Sequence, residues 1–492
     1  MKLKLRIILI IAVLLSQVSC TKWMDLQPPQ GLIREEFWHS KEDVETVLMG
    51  AYDTFRGLNG NLFKYGEMRA DMVTWDVNLS QDERKIMEGN IYSDNSMCGW
   101  SGFYQVINYC NEVITNAPKV QKEDDTFTEY QLQGYLSEAY FLRSMAYFYL
   151  VRIFKDVPYI TQPTETDDAN FYPEKTNGDT ILNRVEKDLE EHYQYATVNG
   201  YLTIAENKGR ATKASIDALI ADIALWQFDY EKVIKRVENI ERSVKYVLLK
   251  SGRWFDLFYP GNSKESIFEF QFNDALNQGN GLFGLTQQNA HNYVPSETAV
   301  NMFSRLTAKG GEIYRGEDAS IAMITKGEYI IWKYIGMRPD GESVRPSTIQ
   351  NSANWIVYRY AGVLLMKAEA LSQLGRYSEA LSIINEIRDR ADVPALNIPN
   401  SATAYEDAIL HERALELSFE GKRWFDLLRM GRRNNYSRKA QLIQILVSNV
   451  PSTQKRILAT KLTNPLGWYL PIAKSEMERN KNLVQNPYYN NF

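Results

Sequence analysis

The sequence predicts a mostly α-helical protein in which helical hairpins build a scaffold and an irregular, loop-rich lobe is mounted on it. Three observations carry this expectation. Apolar residues recur at helical spacing over six segments of the N-terminal half. One helix–turn–helix block is echoed later in the chain, ADIALWQFDYEKVIKRVENI at 221–240 over AEALSQLGRYSEALSIINEI at 368–387. Between the echoes, 262–350 breaks into short strand-like pieces, glycines and loops.

The chain opens with Lys2, Lys4 and Arg6 and then nine consecutive apolar residues, Ile7 to Leu15. This reads as an export signal over 1–19. Nine residues rise only about 14 Å as a helix, against roughly 30 Å of membrane hydrocarbon, so the segment is too short to span. Ser19 is followed by Cys20, and a thiol at this place is expected to be acylated and to hold the protein at a membrane through its lipid chains. The alternative is an ordinary cleaved signal with an incidental cysteine. TKWMDLQPPQG, with two prolines and a glycine, should run irregularly, giving a tether over 20–40.

A helical hairpin region is expected over 41–261. Helices are predicted at 41–57, ending on Gly57, at 100–117, and at 130–153, the last heavily aromatic. After FKDVPYI and a polar stretch, 178–194 reads as another amphipathic helix, with Asp179 or Thr180 as its N-cap. Helices at 210–226 and 230–241 complete the region. In the echo Tyr230 falls on Tyr377 and Val233 on Ala380, and LGRY followed by EA is close to the tetratricopeptide pattern. Such hairpins bury their faces only by stacking on neighbours. The good copies lie 147 residues apart, which excludes one regular solenoid.

The lobe at 262–350 holds SIFEFQF, Gly279, Gly281, Gly284, EYIIWKYIG and a loop containing RPDGESVRPS. The remainder, 351–492, is read as a C-terminal hairpin and docking region. RWFDL occurs at 253–257 and again at 423–427. Glu412, Glu416 and Glu420 follow one another at four-residue spacing, expected on one helix, with Arg413, Arg423, Arg429, Arg432 and Arg433 near them in sequence. Ion pairs locking helix to helix are the commoner outcome of such a pattern, orientation of a carboxylate ligand the rarer one. At the end, WYLPIAKSEMERNKN should dock in extended form before a short helix around Ser475 to Met477, with NPYYNNF packing its aromatics on the body.

Composition removes several function classes. Lys and Arg total 56 against 61 Asp and Glu, without a basic block, so no nucleic-acid footprint is expected. Three cysteines exclude a disulfide scaffold, though Cys98 and Cys110 could form one bridge. The four histidines, His39, His192, His291 and His411, have no zinc-ligand spacing, and no metal or cofactor is implied. No GxSxG, HExxH or phosphate-binding glycine loop is present, so the chain is not expected to be an enzyme. The positive bias is aromatic: 30 Tyr, 20 Phe and 10 Trp offer apolar faces with polar edges, suited to helix packing, sugars and peptides alike.

Several stretches together resemble one family. Cys20 with WMDLQP, YFLRSMAYFYLVRIFKDVPYI at 140–160, YAGVLLMKAEALSQLGRYSEALSIINEIR at 360–388, ERALELSFEGKRWFDLLRMG at 412–431 and WYLPIAKSEMERNKNLVQNPYY at 468–489 are similar, in order, to the SusD/RagB family of outer-membrane nutrient-uptake lipoproteins of Bacteroidetes. The resemblance implies a SusD-like α/α superhelix with four tetratricopeptide-like hairpins, held at the outer surface of the outer membrane by a lipid on Cys20. It implies as partner a SusC-like TonB-dependent transporter, to which the protein presents a captured oligosaccharide or, in some members, a peptide. It also implies a non-catalytic role. A surface scaffold or adaptor without a small ligand is the remaining reading.

Family sites usually join N-terminal loops to loops of the irregular lobe. A sugar site needs aromatic planes and fixed polar groups, since a buried hydroxyl left unpaired costs about 1–3 kcal/mol. The candidates are therefore Arg69, Asp71, Trp75 and Asp76 in KYGEMRADMVTWDVN, then Asn95 and Trp100, then Tyr293, expected to be exposed, and Trp332, with Trp355 less favoured. Each aromatic has a bland alternative as packed core.

Overall fold

The structure, a computed structural model, describes residues 37–164, 170–286, 291–309, 315–334, 352–450 and 452–490. The leader, Cys20, most of the tether and the RPDGESVRPS loop lie outside the described residues.

The fold is mostly α-helical, as the periodicity predicts. Its principal helices are α1 (Lys41–Gly57), α2 (Asn59–Glu67), α3 (Ser101–Glu123), α4 (Glu129–Phe154), α5 (Gly178–His192), α6 (Lys213–Trp226), α7 (Tyr230–Arg242), α8 (Glu297–Ser304), α9 (Tyr360–Gln373), α10 (Tyr377–Arg390), α11 (Ala402–Glu416) and α12 (Arg423–Tyr436). Short strands accompany them: β1 (Val73–Trp75), β2 (Ser266–Phe270), β3 (Tyr293–Pro295), β4 (Ile321–Thr325), β5 (Glu328–Ile331) and β6 (Trp355–Arg359). Helix α1 packs on α3, α3 on α4, α4 on α5, α6 on α7, and α9 on α7, α10 and α11.

Local chemistry sets the helix starts. Ser40 and Asp43 form a reciprocal capping box at α1, and Thr128 and Gln131 form another at α4. At α5 the cap is Asn177, whose side chain accepts from the amides of Asp179 and Thr180. Those two residues, expected as the cap, are thus already inside the first turn. Every residue of α4 from Phe141 to Phe154 is buried. A helix with apolar residues on every side sits inside the bundle, and α4 does, its Arg143 and Arg152 paired with Asp188 and Asp222.

The echo holds in space. Both second helices begin at the matched tyrosines, Tyr230 and Tyr377, and the matched Val233 and Ala380 are both fully buried. SIFEFQF supplies β2, which pairs antiparallel with β6, Ser266 opposite Arg359 and Phe270 opposite Trp355. Chain direction then passes straight from β6 into α9, so the lobe and the C-terminal hairpin share one continuous junction.

Two expectations need correction. Helix α11 stops at Glu416, and Glu420 lies in the following turn, where Phe419 (φ 64°) and Gly421 (φ 69°) take left-handed backbone. The three glutamates therefore share a neighbourhood without sharing a helix. Cys98 and Cys110 are both buried and both free thiols, with no bridge between them. The chain end behaves as expected: a short helix spans Lys474–Arg479, Leu470 donates its amide to the Ile153 carbonyl at 2.8 Å, and Tyr489 donates to the Tyr469 carbonyl at 2.9 Å.

The turn after α11 is pressed onto α2. A Cβ on Gly66 would stand 1.9 Å from the Gly421 carbonyl oxygen, so only glycine permits this approach. Beside it Glu67 is fully buried and accepts from the Gly421 and Lys422 amides at 2.8 and 3.2 Å. Burial pushes its carboxyl up to about 8 despite those amides.

Two stability predictions follow from this contact. Gly66→Ala should lower the thermal midpoint and cost about 2 kcal/mol or more in denaturant titration, because backbone must separate to admit the methyl group. A carboxyl neutral in the fold but ionised when unfolded stabilises fully below its ordinary value of 4.5 and progressively less up to about 8. Glu67→Gln keeps the acceptor oxygen and removes the titration. Thermal melts across pH should show the variant gaining on the parent as pH rises through that window.

Candidate functional site

Strands β1 and β3 form an antiparallel ladder, with Val73 opposite Pro295, Thr74 opposite Val294 and Trp75 opposite Tyr293. This ladder stitches the N-terminal loop to the irregular lobe. Strands β4 and β5 form a hairpin that turns at Lys326 and Gly327, and β5 lies against β3. Helix α8 starts where β3 ends: Ser296 caps it by accepting from the Ala299 amide, and its hydroxyl donates to the Asp71 carbonyl at 2.5 Å.

Between ladder, hairpin and α8 opens a groove of about 510 Å³. That is within the usual range of about 300–1,000 Å³ for small-ligand sites. Its apolar surface comes from Val294, Pro295, Val300 and Ile324. Tyr329, half-buried on β5, contributes the aromatic ring and donates its hydroxyl to Glu317 Oε1 at 3.3 Å. The polar lining is Asp76, Glu297, Glu328 and His291, the imidazole Nε2 standing 2.9 Å from Asp76 Oδ2. One ring, an aliphatic wall and several acceptors can cover the C–H face of a sugar and take hydrogen bonds from its hydroxyls.

A second opening lies between β1 and the C-terminal segments, lined by Arg69, Trp75, Trp424, Asn449, Lys461 and Tyr488 among others. It encloses about 50 Å³, room for only a few waters. Trp75, half-buried, sits in the wall of this crevice and not in the groove.

Most residues singled out from sequence are taken up by the fold. Arg69 lies over the Trp424 ring at 4.4 Å and donates to the carbonyls of Trp468 and Gly467 at 2.5 and 2.8 Å. Asp71 is buried and accepts from Arg423 Nε and Nη2 at 2.7 and 2.9 Å. Trp100 is 4% exposed, edge-on to Tyr104 and Phe154. Tyr293, expected at the surface, is completely buried, because its ladder turns it inward to donate to Glu83 Oε1 at 3.0 Å. Trp332 is completely buried against Ala322 and Ile330. Trp355 stacks on Tyr334 in the core, and Asn95 is buried, capping a short turn.

Asp76 alone of these residues lines the groove, joined there by His291, whose sequence spacing excluded only zinc. Sequence reasoning missed Glu297, Glu328 and Tyr329. The alternation in EYIIWKYIG is the available signal: it puts Tyr329 and Trp332 on opposite faces, with the larger ring on the inward one. Among the described residues no cluster of acids, histidines or cysteines is arranged to hold a metal, and no helix is long and apolar enough to cross a membrane.

Comparison with known proteins agrees along the chain. A family model described as the SusD family matches residues 286–489, and one described as starch-binding associating with outer membrane matches 22–225. A SusD-like protein of Formosa agariphila is 27% identical, covering 84% of this chain and 88% of its own. A SusD superfamily structure from Bacteroides vulgatus superposes with a TM-score of 0.77 at 21% identity, covering 92% of this chain and all of its own. The structure of surface glycan-binding protein A from Bacteroides uniformis gives 0.74 at 23%, covering 91% and 100%. A structure titled as a laminarin binding SusD-like protein gives 0.72 at 21%, covering 92% and 100%.

Arg69 and Trp100 are predicted to matter for folding before binding. Arg69→Ala removes charge-assisted bonds to two carbonyls of the C-terminal segment and should cost about 1.5–3 kcal/mol. Trp100→Ala should cost about 3–5 kcal/mol through the cavity it leaves. Chemical denaturation measures both.

Proposed function

We propose that the chain, matched by a SusD family model over 286–489 and similar to SusD-like proteins along most of its length, is a member of that family, a non-catalytic surface lipoprotein that captures an oligosaccharide in the groove beside Tyr329. It then delivers the glycan to a SusC-like TonB-dependent transporter in the same outer membrane, facing the cell exterior and anchored through Cys20. The observation that carries this reading is the groove itself, about 510 Å³ with an aromatic ring, aliphatic surface and acceptors, built where the N-terminal loop meets the lobe. Solved relatives titled as laminarin-binding and as a surface glycan-binding protein share the fold and support a glycan as the ligand.

Catalysis is not needed by this reading. Glu297 and Glu328 are exposed at the groove edge, and Asp76 is paired with His291. The helical scaffold serves to hold ladder and hairpin at fixed separation. Capture then requires only a complementary surface and a transporter to receive the sugar.

The test is a glycan and peptide array probed with protein lacking residues 1–20, followed by calorimetry on the hits. Saturable binding without product is expected, with Tyr329→Ala lowering affinity about tenfold or more while circular dichroism is unchanged. Conversion of the bound sugar would establish an enzyme instead. Peptide hits would move the protein to peptide import, and silence of folded protein across the array would leave an adaptor of the transporter.

A further inference from the structure

The groove has a sign. Its carboxylates come from three separate segments: Asp76 at the end of β1, Glu297 in the first turn of α8 and Glu328 at the start of β5. Glu317, bonded to the Tyr329 hydroxyl, adds a fourth just behind the ring. Among the described residues, His291 is the only basic side chain lining the groove, and it faces Asp76. Lys326, beside Gly327 in the hairpin turn, is exposed and not part of the lining.

Glu297 sits at a helix N-terminus, where the backbone dipole favours an anion. Glu297 and Glu328 are both exposed at the rim of the groove. Among the described residues neither makes an ion pair that would cancel its field across the opening.

Resting on the groove as the glycan site, we propose that it selects by charge: it accepts neutral or amine-bearing glycans and rejects those carrying uronate or sulfate groups. A neutral sugar offers hydroxyl donors to the carboxylate acceptors, and an ammonium group offers a charge-assisted one. A uronate or sulfate ester brings an anion against three carboxylates, and among the described residues no arginine or lysine lines the groove to receive it. Each such approach near a protein surface weakens binding by about fivefold or more at low salt.

The experiment measures affinity of the purified protein for two sets of oligosaccharides of matched length. One holds neutral glucose, mannose, xylose and galactose oligomers together with chitosan oligomers; the other holds oligogalacturonate, alginate oligomers and sulfated carrageenan oligomers. Tighter binding is expected in the first set, and Glu297→Gln with Glu328→Gln should shrink the ratio between the sets, as should raised salt for the parent protein. Binding of the anionic set as tight as the neutral one, or a ratio unmoved by the double substitution, overturns charge selection while leaving glycan capture standing. Absence of binding to every oligomer overturns glycan capture and charge selection together.

Discussion

The Arg359 side chain has no surface open to water, and its guanidinium is divided among three carboxylates, one from before β2 and two from the end of α11 and its turn. It pairs with Glu265 at 2.8 Å, Glu416 at 2.6 Å and Glu420 at 2.8 Å, and also donates to the Glu416 carbonyl. Around it Arg390 joins Glu265 and Glu416, Arg315 joins Glu412 and Glu416, and Lys333 donates to Glu420 at 3.0 Å. Burial opposes the charge on Glu416, but Arg390, Arg359 and Arg315 together hold its carboxyl well below the usual range. Removing one member of such a cluster strands the others in low dielectric, at a cost of about 3–5 kcal/mol, so the cluster holds only as a whole.

The placement of this cluster explains how an irregular lobe is held on a helical scaffold. Arg315 and Lys333 come from the lobe, Glu265 from the loop before β2, and Glu412, Glu416 and Glu420 from α11 and its turn. Lys333 follows β5 directly, so the hairpin bearing Tyr329 is tied at its base to a buried carboxylate. On the other side, the Asp71 carboxylate holds Arg423 while its carbonyl receives Ser296, the cap of α8. Both walls of the groove thus hang from buried charged residues of the C-terminal helices. A recognition surface made of loops gains fixed geometry in this way without extended secondary structure of its own.

Much of the scaffold was legible before any coordinates. The largely apolar and aromatic stretch of α4 pointed to burial, and the matched tyrosines of the echo mark the same helix start in both hairpins. The arginine and glutamate pattern at 412–433 signalled ion pairs, yet not their partners. Arg359, Arg315 and Glu265 lie tens of residues away and carry no local pattern. The groove was less legible still. Large rings attracted attention as sugar platforms, and the hydrophobic effect drew nearly all of them inside, leaving a smaller ring on the opposite face of its strand at the surface.

The sequence by itself determined the helical class, the repeated hairpin, the segment that breaks the repeat and the ordered motifs that are similar to the SusD family. Those properties reside in short-range spacing: 3.6-residue periodicity, capping pairs and motifs a few residues long. Only the tertiary structure decided that Trp100, Tyr293 and Trp332 are core, that Glu420 leaves its helix to meet Arg359, and that Asp76, His291, Glu297, Glu328 and Tyr329 share one opening. Burial and convergence depend on which distant segments pack together, and pairings such as β1 with β3, separated by more than two hundred residues, leave no trace in local spacing.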